Sequence, residues 1–224
     1  MCGRYNLRTP PGELAKVFEL DRWADVVPRY NIAPTQSVPA IRVIDGERRL
    51  DLLQWGLIPS WADDPKIGNR LINARADTVA SKPSFRSAFR KRRCLVPADG
   101  FYEWRKTSTK TKQPFHVTLK CGSPFGFAGL WERWAKGAEG PIESFTIITT
   151  DANELVADIH DRMPVILPAE HYGVWLDLEI DDSKALESLL VPYSANEMLA
   201  VPVSTAVNSP RNDSPECIVP VQVD

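Results

Sequence analysis

Residues 94–106 read CLVPADGFYEWRK, and how this stretch is read decides the fold class. Apolar, branched and aromatic residues flank Asp99-Gly100, which predicts two strands around that dipeptide. The same pattern lies upstream. SVPAIRVIDGERRLDLLQW (37–55) predicts a strand pair around Asp45-Gly46, because both central residues of such a turn need positive φ. PFHVTLK (114–120), FGFAGLW (125–131), SFTIITT (144–150) and LAVPVS (199–204) are further strand candidates.

Helices are expected at the edges. TPPGELAKVFEL (9–20) has Thr9 as a candidate cap, prolines at its start, and Leu14, Val17 and Phe18 on one face. ANELVADIH (152–160) predicts a helix ending at His160, and two more are expected near 168–177 and 182–190. The class is therefore α+β: a mainly antiparallel, barrel-like sheet core with peripheral helices. No repeat, low-complexity tract or linker interrupts the 224 residues, so residues 1–224 are expected to form a single domain.

The composition narrows the function classes. The chain is 43% hydrophobic with a net charge of −2, which disfavours a general nucleic-acid scavenger. No apolar run reaches the about 18 residues of a membrane span, and no secretory leader is visible. Cys2, Cys94, Cys121 and Cys217 show no disulfide or metal-ligand spacing, which fits a reducing, intracellular compartment. His116, His160 and His171 are too scattered to suggest a metal site, and no cofactor is suggested. The charge is uneven: KPSFRSAFRKRR (82–93) is basic with no acid, and DLEIDDSKALE (177–187) is strongly acidic. The basic run is either a solvated face or a local seat for phosphates.

The chemistry-bearing residues begin at Cys2. Either it is a small hydrophobe that follows Met1, or removal of Met1 turns it into a vicinal aminothiol. The α-amine would then titrate at about 7.7–8.0 and the thiol near 8.5. Such a group adds to an aldehyde, first as an imine and then as a thiazolidine. Alternatively the thiol attacks an acyl carbon with the amine as base. Either route needs a proton carrier. Glu103 in DGFYEW (99–104) faces away from Tyr102 and Trp104 by strand alternation. It is either an exposed surface glutamate or a carboxyl raised by an apolar pocket. His160 in ADIHDRMP (157–164) is either a helix-end histidine complementing the dipole or a proton carrier. Asn73 and Arg75 in LINARADT (71–78) share a face if extended. Arg4, with Arg29, Asn31 and Pro34 in RYNIAPT (29–35), offers similar phosphate-binding chemistry. Trp61 is a loop tryptophan that either stacks on a nucleobase or is partly buried.

MCGRYN, RYNIAPTQ, WGLIPSWA, LINARADT, RRCLVPADGFYEW, ITTDAN and IHDRMPVIL occur in that order. In this the chain resembles the SOS response-associated peptidase (SRAP) family from Cys2 to about Val203. The resemblance implies the SRAP fold and recognition of abasic sites in single-stranded DNA. It further implies a covalent thiazolidine crosslink through the mature N-terminal Cys2. The family's catalytic groups map onto Cys2, Asn73, Glu103 and His160. Its DNA contacts map onto Arg4, Asn31, Pro34, Trp61, Arg75, Thr149 and Arg162. Some members carry a second aromatic after the loop tryptophan, where this chain has Ala62. Met1 would be removed either by the site itself or by an aminopeptidase. An amidotransferase-like thiol hydrolase, a non-covalent single-strand binding module and a peptidase acting on other proteins are the competing readings. A monomer is expected, with no membrane partner, located in the cytoplasm if bacterial and in the nucleus if eukaryotic.

Overall fold

The computed structural model describes residues 2–107, 112–180 and 182–222. Fourteen strands are described among them: β1 (Tyr5–Leu7), β2 (Arg22–Trp23), β3 (Arg29–Ile32), β4 (Ser37–Ile44), β5 (Glu47–Trp55), β6 (Asn73–Arg75), β7 (Arg93–Ala98), β8 (Gly100–Lys106), β9 (Lys112–Leu119), β10 (Phe125–Trp134), β11 (Ile142–Asp151), β12 (Arg162–Pro164), β13 (Ile166–Leu167) and β14 (Met198–Pro202). The helices are short: α1 (Pro11–Val17), α2 (Arg86–Lys91), α3 (Glu154–Ala157), α4 (Tyr172–Leu176) and α5 (Ser183–Glu187).

Five strands close a barrel. β4 pairs with β5 and β7, β7 with β10, and β10 with β11, all antiparallel; a short parallel seam of β11 on β5 completes the ring. A second sheet runs β14-β9-β8-β1-β3. Mainly antiparallel strands around a barrel with small outlying helices make the class α+β, as the sequence predicts. The main core is filled by side chains such as Tyr5, Trp55, Phe101, Phe127 and Phe145. Tyr102, Val203, Val207 and Cys217 form a smaller cluster on the other face of the second sheet.

The two Asp-Gly dipeptides behave differently. Asp45 (φ 52°) and Gly46 (φ 79°) form a two-residue hairpin turn, with Ile44 opposite Glu47. Asp99-Gly100 does not join paired strands. β7 ends in the barrel, and β8 begins in the second sheet between β1 and β9. The physical reason is tertiary. The buried Asp99 carboxylate accepts the backbone N–H groups of Arg8 and Thr9 and the Thr9 hydroxyl, which ties the end of β1 to the crossing point. Thr9 is therefore not the cap of α1, which starts behind Pro10 without a side-chain cap. Gly100 is needed for a different reason than a turn: a Cβ there would lie 2.3 Å from His116 Nε2. The ring occupies that space to reach Asn6 Oδ1 at 2.7 Å.

The expected helix 152–160 shrinks to α3, and His160 lies in the turn after it, its N–H still bonded to Val156 O. The next residues leave for β12, so the helical pattern has no room to continue.

His116 generates a pH prediction. Burial, followed by the charge of Arg8, lowers its pKa from 6.5 to about 4. The ring stays neutral in the native state while the unfolded chain takes up a proton. This contribution to stability is complete above pH 6.5 and is lost as pH falls through about 4, a change of up to about 3 kcal/mol. Urea denaturation of the wild type should show that decline, and His116→Gln should flatten it.

Candidate active site and nucleic-acid interface

Cys2 enters the site as the residue leading into β1, which lies between β8 and β3. Its side chain is completely buried. Burial pushes the thiol well above its ordinary value, and the Glu103 carboxylate adds to the push. This corrects the expectation of an ordinary thiol: the Cys2 sulfur is held protonated near neutral pH.

Glu103 sits on β8, where alternation sends Phe101 and Glu103 to the barrel side and Tyr102 and Trp104 to the other. At 2% exposure it is not a surface glutamate. Burial raises its carboxyl, and His160 is among the groups that oppose the rise. Cys2, Glu103 and His160 are thus electrostatically coupled although they lie far apart in sequence. His160 Nδ1 faces both the Arg162 backbone N–H at 3.0 Å and Asp161 Oδ1 at 2.8 Å. A nitrogen with one lone pair serves one of them at a time: neutral Nδ1 accepts from Arg162, and protonated Nδ1 donates to Asp161.

Asn73 comes from β6, which adds in parallel to β11 with Asn73 opposite Ile147 and Arg75 opposite Thr149. Its Nδ2 donates to the Cys2 carbonyl at 2.8 Å. Its Oδ1 is buried with no hydrogen-bond partner among the described residues. Nearby on the same ladder, Arg162 donates to Thr149 O at 2.6 Å and to Asp151 at 2.8 Å. Arg162 Nε is likewise buried without an acceptor among the described residues. Thr149 is buried with its hydroxyl toward Ala74 O. Arg75 is exposed and paired with Asp77 at 2.8 Å.

The other expected DNA contacts are placed differently. Asn31 is fully buried, and its Nδ2 donates to the carbonyls of Val207, Ser209 and Asn212. Arg4, half-buried, donates to Val207 O at 2.8 Å and to Asn31 Oδ1 at 3.3 Å. These side chains hold the 207–212 segment against β3. Pro34 is half-buried just before Thr35, a residue in the left-handed region. Trp61 is 54% exposed. The adjacent Ala62 is buried with Trp134 at the β10–β11 turn. That end is about 17 Å along β11 from Asn73, at ~3.4 Å per residue.

A feature the sequence reading missed lies beside His160. A cleft of about 540 Å³ is lined by Trp104, Arg105, Lys106 and Lys112 on one side and Ala157–Asp161 on the other. Its signal in the sequence was the run of cations leaving and re-entering the 106–112 connection. Among the described residues no three His, Cys, Asp or Glu side chains gather as metal ligands, and no helix is long and apolar enough to cross a membrane.

Asn31 gives a test of its own. Removing its amide takes one donor from each of three carbonyls that keep another (Arg4 Nη1, the Asn212 N–H and Cys217 Sγ), so Asn31→Ala should lower unfolding free energy by about 1–2 kcal/mol in urea denaturation. A variant as stable as wild type would show that the 207–212 segment is held by other contacts.

Comparison with known proteins identifies the family. Residues 1–210 match the family described as SOS response associated peptidase (SRAP). The chain is 47% identical over 221 residues to abasic site processing protein YoqW of Bacillus subtilis, covering 97% of this chain and 99% of that one. It is 37% identical to abasic site processing protein HMCES of Gallus gallus, covering 88% of this chain and 67% of the relative. A crystal structure of a Bacteroides thetaiotaomicron protein superposes with a TM-score of 0.87 at 29% identity, covering 99% of this chain and all of the other. Shared sequence along nearly the whole length, with a shared fold, gives one conclusion: the chain belongs to the SRAP family.

Proposed function

We propose that this chain processes abasic sites in single-stranded DNA by capturing them covalently through Cys2 once Met1 is removed. The observation that carries the reading is the convergence of Cys2, Asn73, Glu103 and His160 from four separate segments, with Asn73 bonded to the Cys2 carbonyl. The names of the relatives support the substrate class.

An abasic sugar in its ring-opened form carries an aldehyde. The Cys2 amine forms a nitrogen–carbon bond to it, water leaves, and an imine results. The Cys2 sulfur then bonds to the same carbon, and the thiol proton ends on the ring nitrogen. Nothing is oxidised or reduced. Because the thiol is protonated, Glu103 must take its proton in the second step and return it to nitrogen; a carboxyl raised by burial is suited to holding that proton briefly. His160 assists ring opening and the loss of water. Asn73 Oδ1 accepts from a hydroxyl of the opened sugar, and Arg162 Nε with Arg75 meets the flanking phosphates. Arg4, Asn31, Pro34 and Thr149 shape the wall of the same channel, and Trp61 stacks at its far end. The same groups, acting on the Met1–Cys2 bond, would serve for self-removal of Met1.

The test is a denaturing gel of Met1-free protein with single-stranded DNA bearing one abasic site, beside Cys2→Ala and intact DNA. A heat-resistant shifted band that needs both Cys2 and the lesion is expected. No band, in protein whose mass confirms loss of Met1, overturns the reading. Glu103→Gln should slow band formation about 100-fold, the scale of a lost proton carrier.

A further inference from the structure

The basic run at 82–93 has no part in the capture chemistry, and its structure shows what it is fit for. α2 buries Ala88 and Phe89, together with Phe85 just before it, against the barrel strands. Arg86, Arg90 and Lys91 are thereby turned outward, and Lys82 is exposed in the preceding turn. Among the described residues none of these four has an ion-pair partner, so their charge is uncompensated by a neighbouring acid. Arg86, Ser87, Arg90 and Lys91 line a hollow of about 290 Å³. Four unpaired cations, three on α2 and Lys82 in the turn before it, raise the local potential of a chain that is net negative.

We propose that this face of α2 is a second phosphate-binding surface, which holds DNA backbone that has left the capture cleft. The proposal rests on the DNA-capture reading above. Two placements favour a nucleic-acid strand over an acidic protein. First, α2 follows directly from the site: Arg75 leads through two tight turns, Thr78 N to Arg75 O and Lys82 N to Thr78 O, into the helix. Arg75 and Arg86 are eleven residues apart in the chain, so they lie at most about 36 Å from each other, within reach of a strand that runs about ten nucleotides past the cleft. Second, the acidic segment is anchored at the other end. Arg93 donates to the carbonyls of Trp175 and Ile180, which seats Asp177 and Glu179 behind the end of α2. Their charges repel a polyanion from that side, so the open approach is from the Arg75 side.

The experiment uses the full chain and DNA bearing a tetrahydrofuran in place of the abasic sugar. That group has no aldehyde, so binding stays reversible. Affinity is measured against salt for wild type and for the combined variant Arg86→Gln, Arg90→Gln, Lys91→Gln; glutamine keeps the helix. One DNA ends within the cleft, and the other runs about ten nucleotides beyond it on each side. On the long DNA the slope of log affinity against log salt should be shallower in the variant by about 2–3, and on the short DNA unchanged. Equal slopes on the long DNA overturn the proposal. So does an equal loss on both DNAs, which is the mark of a damaged fold, and so does wild type that fails to bind the long DNA. Failure of the capture reading shows separately, as no covalent band with true abasic DNA, and leaves these slopes readable.

Discussion

The carboxylate of Asp99 is the constraint on which the site depends. It accepts two backbone N–H groups and a hydroxyl from the Arg8-Thr9 corner, at the point where the chain passes from the barrel to the second sheet. A buried carboxylate with three donors is stable where one with none would be costly. With that corner fixed, β1 is held against β8 in a single register, Tyr5 opposite Phe101 and Asn6 opposite Gly100. The Asn6–His116 bond locks the same register from the side. Cys2 lies three residues before Tyr5, so its place beside Glu103 follows from this register.

Much of the fold was legible. The turn at Asp45-Gly46 was readable because a two-residue hairpin demands those dihedrals. The other Asp-Gly pair was misread because the dipeptide is the same and the difference is tertiary: three donors for Asp99 and a ring that needs the space beside Gly100. Barrel closure by β5 on β11 was not readable, since alternation marks a strand but does not name its partner. α3 is shorter than its apolar spacing suggests because β12 claims the next residues.

The site was legible unevenly. The motif resemblance marked Cys2, Asn73, Glu103 and His160, and the structure draws these together. Residue chemistry alone left Glu103 and His160 open, because burial decides between a surface carboxylate and a proton carrier. Arg4 and Asn31 show the opposite limit. A guanidinium or an amide that suits a phosphate suits a peptide carbonyl equally well, and here the carbonyls of 207–212 take up both.

Burial of Cys2 also orders the proposed reaction. A thiol held above its ordinary value by desolvation and by a neighbouring carboxylate is a poor first nucleophile. The α-amine, with its pKa of about 8 in solution, has a useful neutral fraction at neutral pH. Nitrogen must therefore attack first, and sulfur second, once the electrophile is tethered. At that stage the reaction is intramolecular, and effective concentration replaces the missing thiolate character. Burial thus has two effects that act together. It protects the sulfur from oxidation and from stray electrophiles, and it makes an aldehyde that first forms an imine the substrate to which the sulfur responds.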